Sequence, residues 1–207
     1  MAHVDTNAYD PRVRALWPAE PAPLGPGVAR ESARPHLHAL AQALLADPAH
    51  GRTASAPPSL GGRPIVDLAA CRGCVAALWL AHNFLDESHR LSQETDTPEG
   101  SYWHGIMHRR EPDYANAKYW FRRVGQHPIH LPLAEHAAKL AQNSYVDEPA
   151  RFLRDLAAWD AFRLVDLCEA IARGRSRCEA LARQIAQVEW ELLFDHCYRR
   201  AIGEKVD

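Results

Sequence analysis

The chain has 207 residues, with 24 basic and 26 acidic side chains and a net charge of −2 with histidine neutral. That length suits one domain, or a domain with an extended arm, and the near-neutral balance lacks the basic excess of a nucleic-acid binder. No run reaches the ~18 apolar residues of a membrane span. The opening Met-Ala-His-Val-Asp-Thr-Asn has neither the basic nor the apolar segment of a secretory leader, so the expected compartment is cytoplasmic.

In chain order, residues 1–64 come first as an extended arm holding ten of the fifteen prolines. The run Trp17 to Gly27 excludes a helix, because proline lacks an N–H and clashes with the preceding turn. Thr53 to Pro64, with Pro57-Pro58 and Gly61-Gly62, is a second such stretch. Between them, Leu37, Leu40, Ala41, Leu44 and Leu45 fall at helical spacing over Arg34 to Asp47. Residues 65–207 form the helical domain. Asp67 caps a helix with Cys71, Val75, Leu78 and Trp79 on its apolar face. His82-Asn83-Phe84 is a turn, and Asp86 starts a helix to Glu94. Asp96 to Gly100 is a loop, with Ser101 capping the next helix. Pro112-Asp113 breaks that helix, and Asp113 caps another to Val124, which Gly125 ends. A helix from Pro132 to Gln142 precedes two long ones, Pro149–Arg173 and Arg177–Arg200, separated by Gly174. No run of alternating β-branched residues occurs. The expected fold is all-α, an irregular multi-helix domain of antiparallel helical hairpins with a Pro-rich N-terminal arm.

Five cysteines, Cys71, Cys74, Cys168, Cys178 and Cys197, are an odd number and do not read as a disulfide framework. Cys71-Arg72-Gly73-Cys74 has zinc-knuckle or redox spacing, but it lacks a second pair and a preceding strand. Its flanks read as helix, and two small residues packed along a buried helix account for it better.

The chemistry concentrates in residues 82–127. Of the 12 histidines, His82, His89, His104, His108 and His127 lie there, with His130 just beyond, among seven of the 17 aromatic side chains. His104 and His108 are i, i+4 on one helix face, with Glu111 one turn on. Asp86 and His89 are i, i+3 on the neighbouring helix. Helices that each offer a carboxylate and an imidazole are how bundle metal sites are assembled, and such donors suit a divalent zinc, iron or manganese ion. His89, Asp86, His104 and His108 are therefore the candidate metal ligands. His104 and His108 are also candidate catalytic acid–base groups, with Glu111 orienting the ring. Against this, His104-Gly105 lacks the glutamate of the metalloprotease motif, and a hydrogen-bonded polar seam also places histidines at i, i+4.

Arginines supply a second possibility. Arg109-Arg110 and Arg122-Arg123 across the Pro112 turn could cradle an anionic small molecule, with Trp103 and Tyr119 as walls. Glu111 and Asp113 could instead neutralise them as ion pairs. Further along, Glu189, Trp190, Glu191, Asp195 and His196 cluster on the last helix. Glu189 or His196 would complete a site if that face meets the His104 helix, and is otherwise surface charge. The long aromatic-bearing terminal helices also permit a homodimer.

Two resemblances bear on this segment. Tyr102 to Pro128 resembles a tetratricopeptide-type helical hairpin, with Gly105 small in the first helix and Ala117, Phe121 and Val124 in the second. The strings Trp103-His104-Gly105-Ile106-Met107-His108-Arg109-Arg110-Glu111-Pro112-Asp113 and Lys118-Tyr119-Trp120-Phe121-Arg122-Arg123-Val124-Gly125 resemble the signature of an uncharacterised family of bacterial and fungal proteins. That resemblance covers roughly residues 74 to 128 and implies a location without an activity. The expectation is thus a small-molecule or metal site in segment 82–127, or alternatively a tetratricopeptide-like interaction scaffold without catalysis.

Overall fold

In a computed structural model, residues 4–45, 58–154 and 156–206 are described. Among the described residues the fold is all-α apart from one two-stranded hairpin. Its α-helices are α1 (Pro11–Ala15), α2 (Arg34–Leu45), α3 (Leu68–Ala81), α4 (Leu85–Gln93), α5 (Pro98–Arg110), α6 (Tyr114–Val124), α7 (His130–Gln142), α8 (Ala161–Ala172) and α9 (Glu179–Ala201). Short 3₁₀ turns lie at Thr6–Ala8, Glu31–Ala33 and Glu148–Arg154. Among the described residues no helix is long and apolar enough to cross a membrane.

α3 and α9 form the centre. α3 buries nearly every residue from Ala70 to Leu80, including Cys71 and Cys74, so its two thiols are core packing. Burial raises the Cys71 pKa to about 12, which leaves that thiol inert. All five cysteines are buried and unbridged. α9 spans two core clusters. Its first half packs Leu181, Ile185 and Val188 with α7, α8 and the Glu148–Arg154 turn. Its second half packs Trp190, Phe194 and Tyr198 with α3, α5 and the arm.

The arm is built into this second half. Tyr9 Oη donates to Asp195 Oδ1 at 2.8 Å, and Asp10 N donates to the Tyr198 hydroxyl at 2.8 Å. Trp17 stands edge-on to Trp190 and Phe194, at centroid distances of 4.9 and 5.2 Å. The arm also contains α1, which the sequence reading did not anticipate. Asp10 caps it, accepting from Arg12 N, and Pro11 supplies the preset φ of a first helical position. The expected helix Arg34–Asp47 ends at Leu45, and Asp47 lies outside the described residues, as do Thr53 to Pro57 of the second Pro-rich stretch. The rest of that stretch forms the hairpin β1 (Ser59–Leu60) and β2 (Arg63–Pro64). Gly61 and Gly62 have φ of +57° and +76°, the left-handed pair that a tight two-residue hairpin turn requires.

Several boundaries differ from the pattern-based expectation, each for a local reason. Thr97, not Ser101, caps α5 by accepting from Gly100 N at 3.1 Å, with Pro98 as its first helical residue. The long helix expected over Pro149–Arg173 is two elements. Asp160 accepts from Phe162 N at 2.9 Å and starts α8 afresh, while Glu148–Arg154 winds as a 3₁₀ turn. α7 begins at His130, two residues before Pro132. Asp67 and Asp113 cap α3 and α6 as expected, accepting from Ala70 N and Asn116 N.

Candidate functional site: two histidine clusters

α4, α5 and α6 carry the first cluster. α5 is buried along almost its whole length, since α4 covers one side and α6 the other. Gly105 allows the close approach of α6. A Cβ there would stand 3.1 Å from the Phe121 ring, tighter than ordinary contact. That approach lays Trp120 flat on His104, with centroids 3.9 Å apart and planes at 16°. His104 in turn stacks on His108 at 4.8 Å, as i, i+4 spacing dictates. α4 brings His89 edge-on to both rings, at 4.7 and 5.3 Å. One ring nitrogen from each of His89, His104 and His108 lies within 4.8 Å of the other two.

Burial favours the neutral ring at two of these residues, His104 and His108. His104 is 1% exposed, and neither of its ring nitrogens has a hydrogen-bond partner. Burial, followed by His108 and His89, lowers its pKa to about 3. Burial also lowers the pKa of His108, while Glu111 pulls the other way. Glu111 Oε2 lies 3.3 Å from His108 Nδ1, within ion-pair range but without hydrogen-bond alignment. A general acid–base residue is tuned near the working pH, so a ring held at about 3 is better suited to ligation than to the catalytic role expected of His104. Tetrahedral zinc at a Zn–N distance of ~2.0–2.1 Å holds its ligand nitrogens roughly 3.3 Å apart. The observed trio, with nitrogens within 4.8 Å of one another, is wider than that spacing and would have to draw in to hold an ion. Three imidazoles leave the fourth position for water, which is the donor count of catalytic zinc sites.

Not every residue proposed from the sequence joins this group. Asp86 is exposed and outside the cluster, because the buried side of α4 runs through Ser88 and Ser92. His82 is buried elsewhere, with Nε2 2.9 Å from Leu16 O. Trp103 is a core residue whose indole nitrogen neighbours the Cys197 thiol under Gly73. Tyr119 is 47% exposed and turned away, and Trp120 is the aromatic wall instead.

The four arginines do not form a cradle. Arg109 Nη2 meets Glu189 Oε2 at 2.5 Å, Arg110 donates to Leu80 O and Asn83 Oδ1, Arg122 lies over Phe162, and Arg123 lies over Trp120. Glu111 and Asp113 do not neutralise them either: Glu111 faces His108, and Asp113 is spent on its cap. Glu189, 0% exposed, is no surface charge. It links α9 to α5 through Arg109 and accepts from the Tyr102 hydroxyl at 3.2 Å.

A second cluster joins Glu99 at the start of α5, His127 before α7 and His196 on α9, all buried. His196 Nε2 is 3.2 Å and His127 Nε2 3.9 Å from Glu99 Oε1. Arg200 also donates to that oxygen, and its other arm reaches Asp67 Oδ2 at 2.9 Å. Burial opposes the Glu99 charge, but His196 and Arg200 overcome it and hold the carboxyl down at about 2. Burial and His196 lower His127 to about 3. Two histidines and a carboxylate are a known donor set for iron. Here the carboxylate oxygen already serves a guanidinium, and a cation placed on it would meet Arg200.

The sequence reading named His127 and His196 but missed Glu99, because it took Pro98-Glu99 as loop and because Glu99 and His196 are 97 residues apart. Trp120 carried a usable signal, lying one turn past Ala117 at the edge of the buried face of α6. Compared with family models, curated proteins and solved structures, the chain matches none.

Proposed function

We propose that the protein binds one divalent transition-metal ion, zinc foremost, through His89, His104 and His108. One observation carries this reading: three imidazoles converge in the interior, and the most buried, His104, has both nitrogens unpartnered. An unsatisfied buried polar atom costs about 1–3 kcal/mol, and native structures rarely leave one without a purpose. Neutral imidazole is the ligating form, and the stacked Trp120 fixes the His104 plane. Glu111 would hold His108 Nδ1 from the far side, the carboxylate–histidine–metal arrangement that orients a ligand and raises its basicity. With the fourth position given to water, the chemistry such an ion supplies is a hydroxide near neutral pH, so metal-assisted hydrolysis is the reaction class this site would serve.

Metal content of tag-free protein tests the assignment. One zinc per chain is expected, falling to background in His104→Ala and unchanged in His82→Ala. Metal-free protein that takes up no zinc on titration overturns it.

A second reading, a helical scaffold of tetratricopeptide type, draws support from the tight Gly105–Phe121 packing of α5 on α6. It predicts a melting temperature indifferent to zinc.

A further inference from the structure

The last two residues of α5 create an imbalance that the histidine clusters do not explain. Arg109 is 2% and Arg110 4% exposed. Arg109 has Glu189 as counter-ion, but its Nη1 has no partner. Arg110 has no carboxylate partner among the described residues. It donates to two neutral acceptors, Leu80 O at 2.6 Å and Asn83 Oδ1, and its Nε is unpartnered. Two guanidiniums and one carboxylate leave a buried positive charge uncompensated. Such a charge is strongly destabilising unless something balances it.

Both arginines line one small cavity of about 30 Å³, whose largely apolar walls include Pro23, Leu80, Ile106, Ala186 and Trp190 beside one polar residue, Gln187. Roughly 10–15 Å³ suffices for one water, so the space admits a single small group. The Pro-rich arm covers it and is pinned on both sides. Arg183 donates to Pro21 O at 2.7 Å, and Asn83 Nδ2 donates to Val28 O at 2.9 Å. The residue that accepts from Arg110 therefore also holds the arm.

We infer that this cavity is a binding site for a small monovalent anion, chloride or the head of a small carboxylate, which sits beside the two guanidiniums that line it and balances Arg110. A guanidinium is charged throughout the neutral range. Size excludes a bulky anion, and the apolar walls disfavour a doubly charged one, whose desolvation a single surplus charge cannot offset. The site is separate from the histidine trio and stands whether or not that trio holds a metal.

Chloride is the probe. Protein in sodium gluconate is titrated with sodium chloride at constant ionic strength and followed by melting temperature and by chloride NMR line width. A saturable rise in melting temperature with matching line broadening is expected, and formate should reproduce the rise. Arg110→Met should abolish both responses. Ala186→Leu, which fills the cavity and leaves both arginines in place, should abolish them too and covers the case in which Arg110→Met does not fold. A melting temperature unmoved by chloride overturns the proposal and makes the occupant a water. An equal rise in Ala186→Leu overturns it as well, as a general salt effect.

Discussion

The two histidine clusters offer nearly the same hardware and differ in what that hardware is already doing. Each gathers three donor side chains within 4.8 Å, each draws on α5, and each holds at least one imidazole whose pKa burial pulls to about 3. Around Glu99, charge has been met with charge: Arg200 and His196 engage its oxygen, and Arg200 reaches on to Asp67. Around His104, an aromatic ring covers one face, and the nitrogens have no protein partner. Donor geometry alone cannot tell a metal site from a buried ion network. The remaining hydrogen-bonding capacity of the donors can.

The contrast breaks most visibly under substitution. Glu99→Gln should cost about 1–3 kcal/mol, because it strips the charge from a buried carboxylate, while half-exposed Arg200 keeps Asp67 as a partner. His104→Phe in metal-free protein should be neutral or stabilising, since it replaces a ring with two unmet nitrogens by an apolar ring of similar size. Urea unfolding of the two variants decides this. Equal losses would mean that the clusters are the same kind of object.

Zinc should sharpen the difference next. At a hundredfold excess over Kd a ligand specific for the folded state adds about 2.7 kcal/mol. Wild-type and Glu99→Gln protein should both gain this in a zinc-dependent melt, and His104→Phe should not. A gain that survives in His104→Phe and vanishes in Glu99→Gln would move the metal to the second cluster.

Acid separates the clusters through the sign of each shift. His104 and His127 are held near 3, below the value of an unfolded histidine, so the unfolded chain binds more protons as pH falls. Their contribution is present above the unfolded value and is lost on acidification through ~6.5 toward 3, at about 1.4 kcal/mol per pH unit for each proton. Glu99, held near 2, adds a loss only once pH drops below ~4.5. Burial also lowers the pKa of His82, His108 and His130, so unfolding free energies should fall from pH 7 to 4 with a slope that reaches at least about two protons. Each of His104→Phe and His127→Phe should remove one. A flat profile from pH 7 to 5 contradicts neutral burial in both places.

The smallest effect is expected at Gly105→Ala. Its methyl would press the Phe121 ring and cost about 1 kcal/mol. Because the same helix spacing seats Trp120 on His104, zinc affinity should weaken along with stability, while Gln93→Ala at an exposed position on α4 should leave both unchanged.

What could be read in advance follows from the range of each interaction. His104 and His108 share a face by local geometry, and Asp67, Asp113 and Gly125 mark helix ends through contacts within a few residues. Asp86 misled, because i, i+3 spacing to His89 says which residues lie on one side of α4 and not which side turns to α5. The apolar spacing through Trp159 suggested one helix over Pro149–Arg173, and the Asp160 side chain outcompeted it locally. The destinations of Arg109, Arg110 and Glu99 were out of reach, since their partners lie 80, 30 and 97 residues away, and no pattern within a helix encodes such a meeting.

Tyr9 and Trp17 rest on Asp195, Trp190 and Phe194, so the earliest part of the chain is seated by nearly the latest. A polypeptide made from its N-terminus releases the arm long before its dock exists. During synthesis Tyr9 and Trp17 stay without their partners on α9 until that helix has emerged. Contacts across 186 residues also slow closure after release, so arm docking should be the last and slowest step of folding. Losing a single turn at the end of α9 would take away Tyr198 and undo an anchor at the opposite end of the sequence.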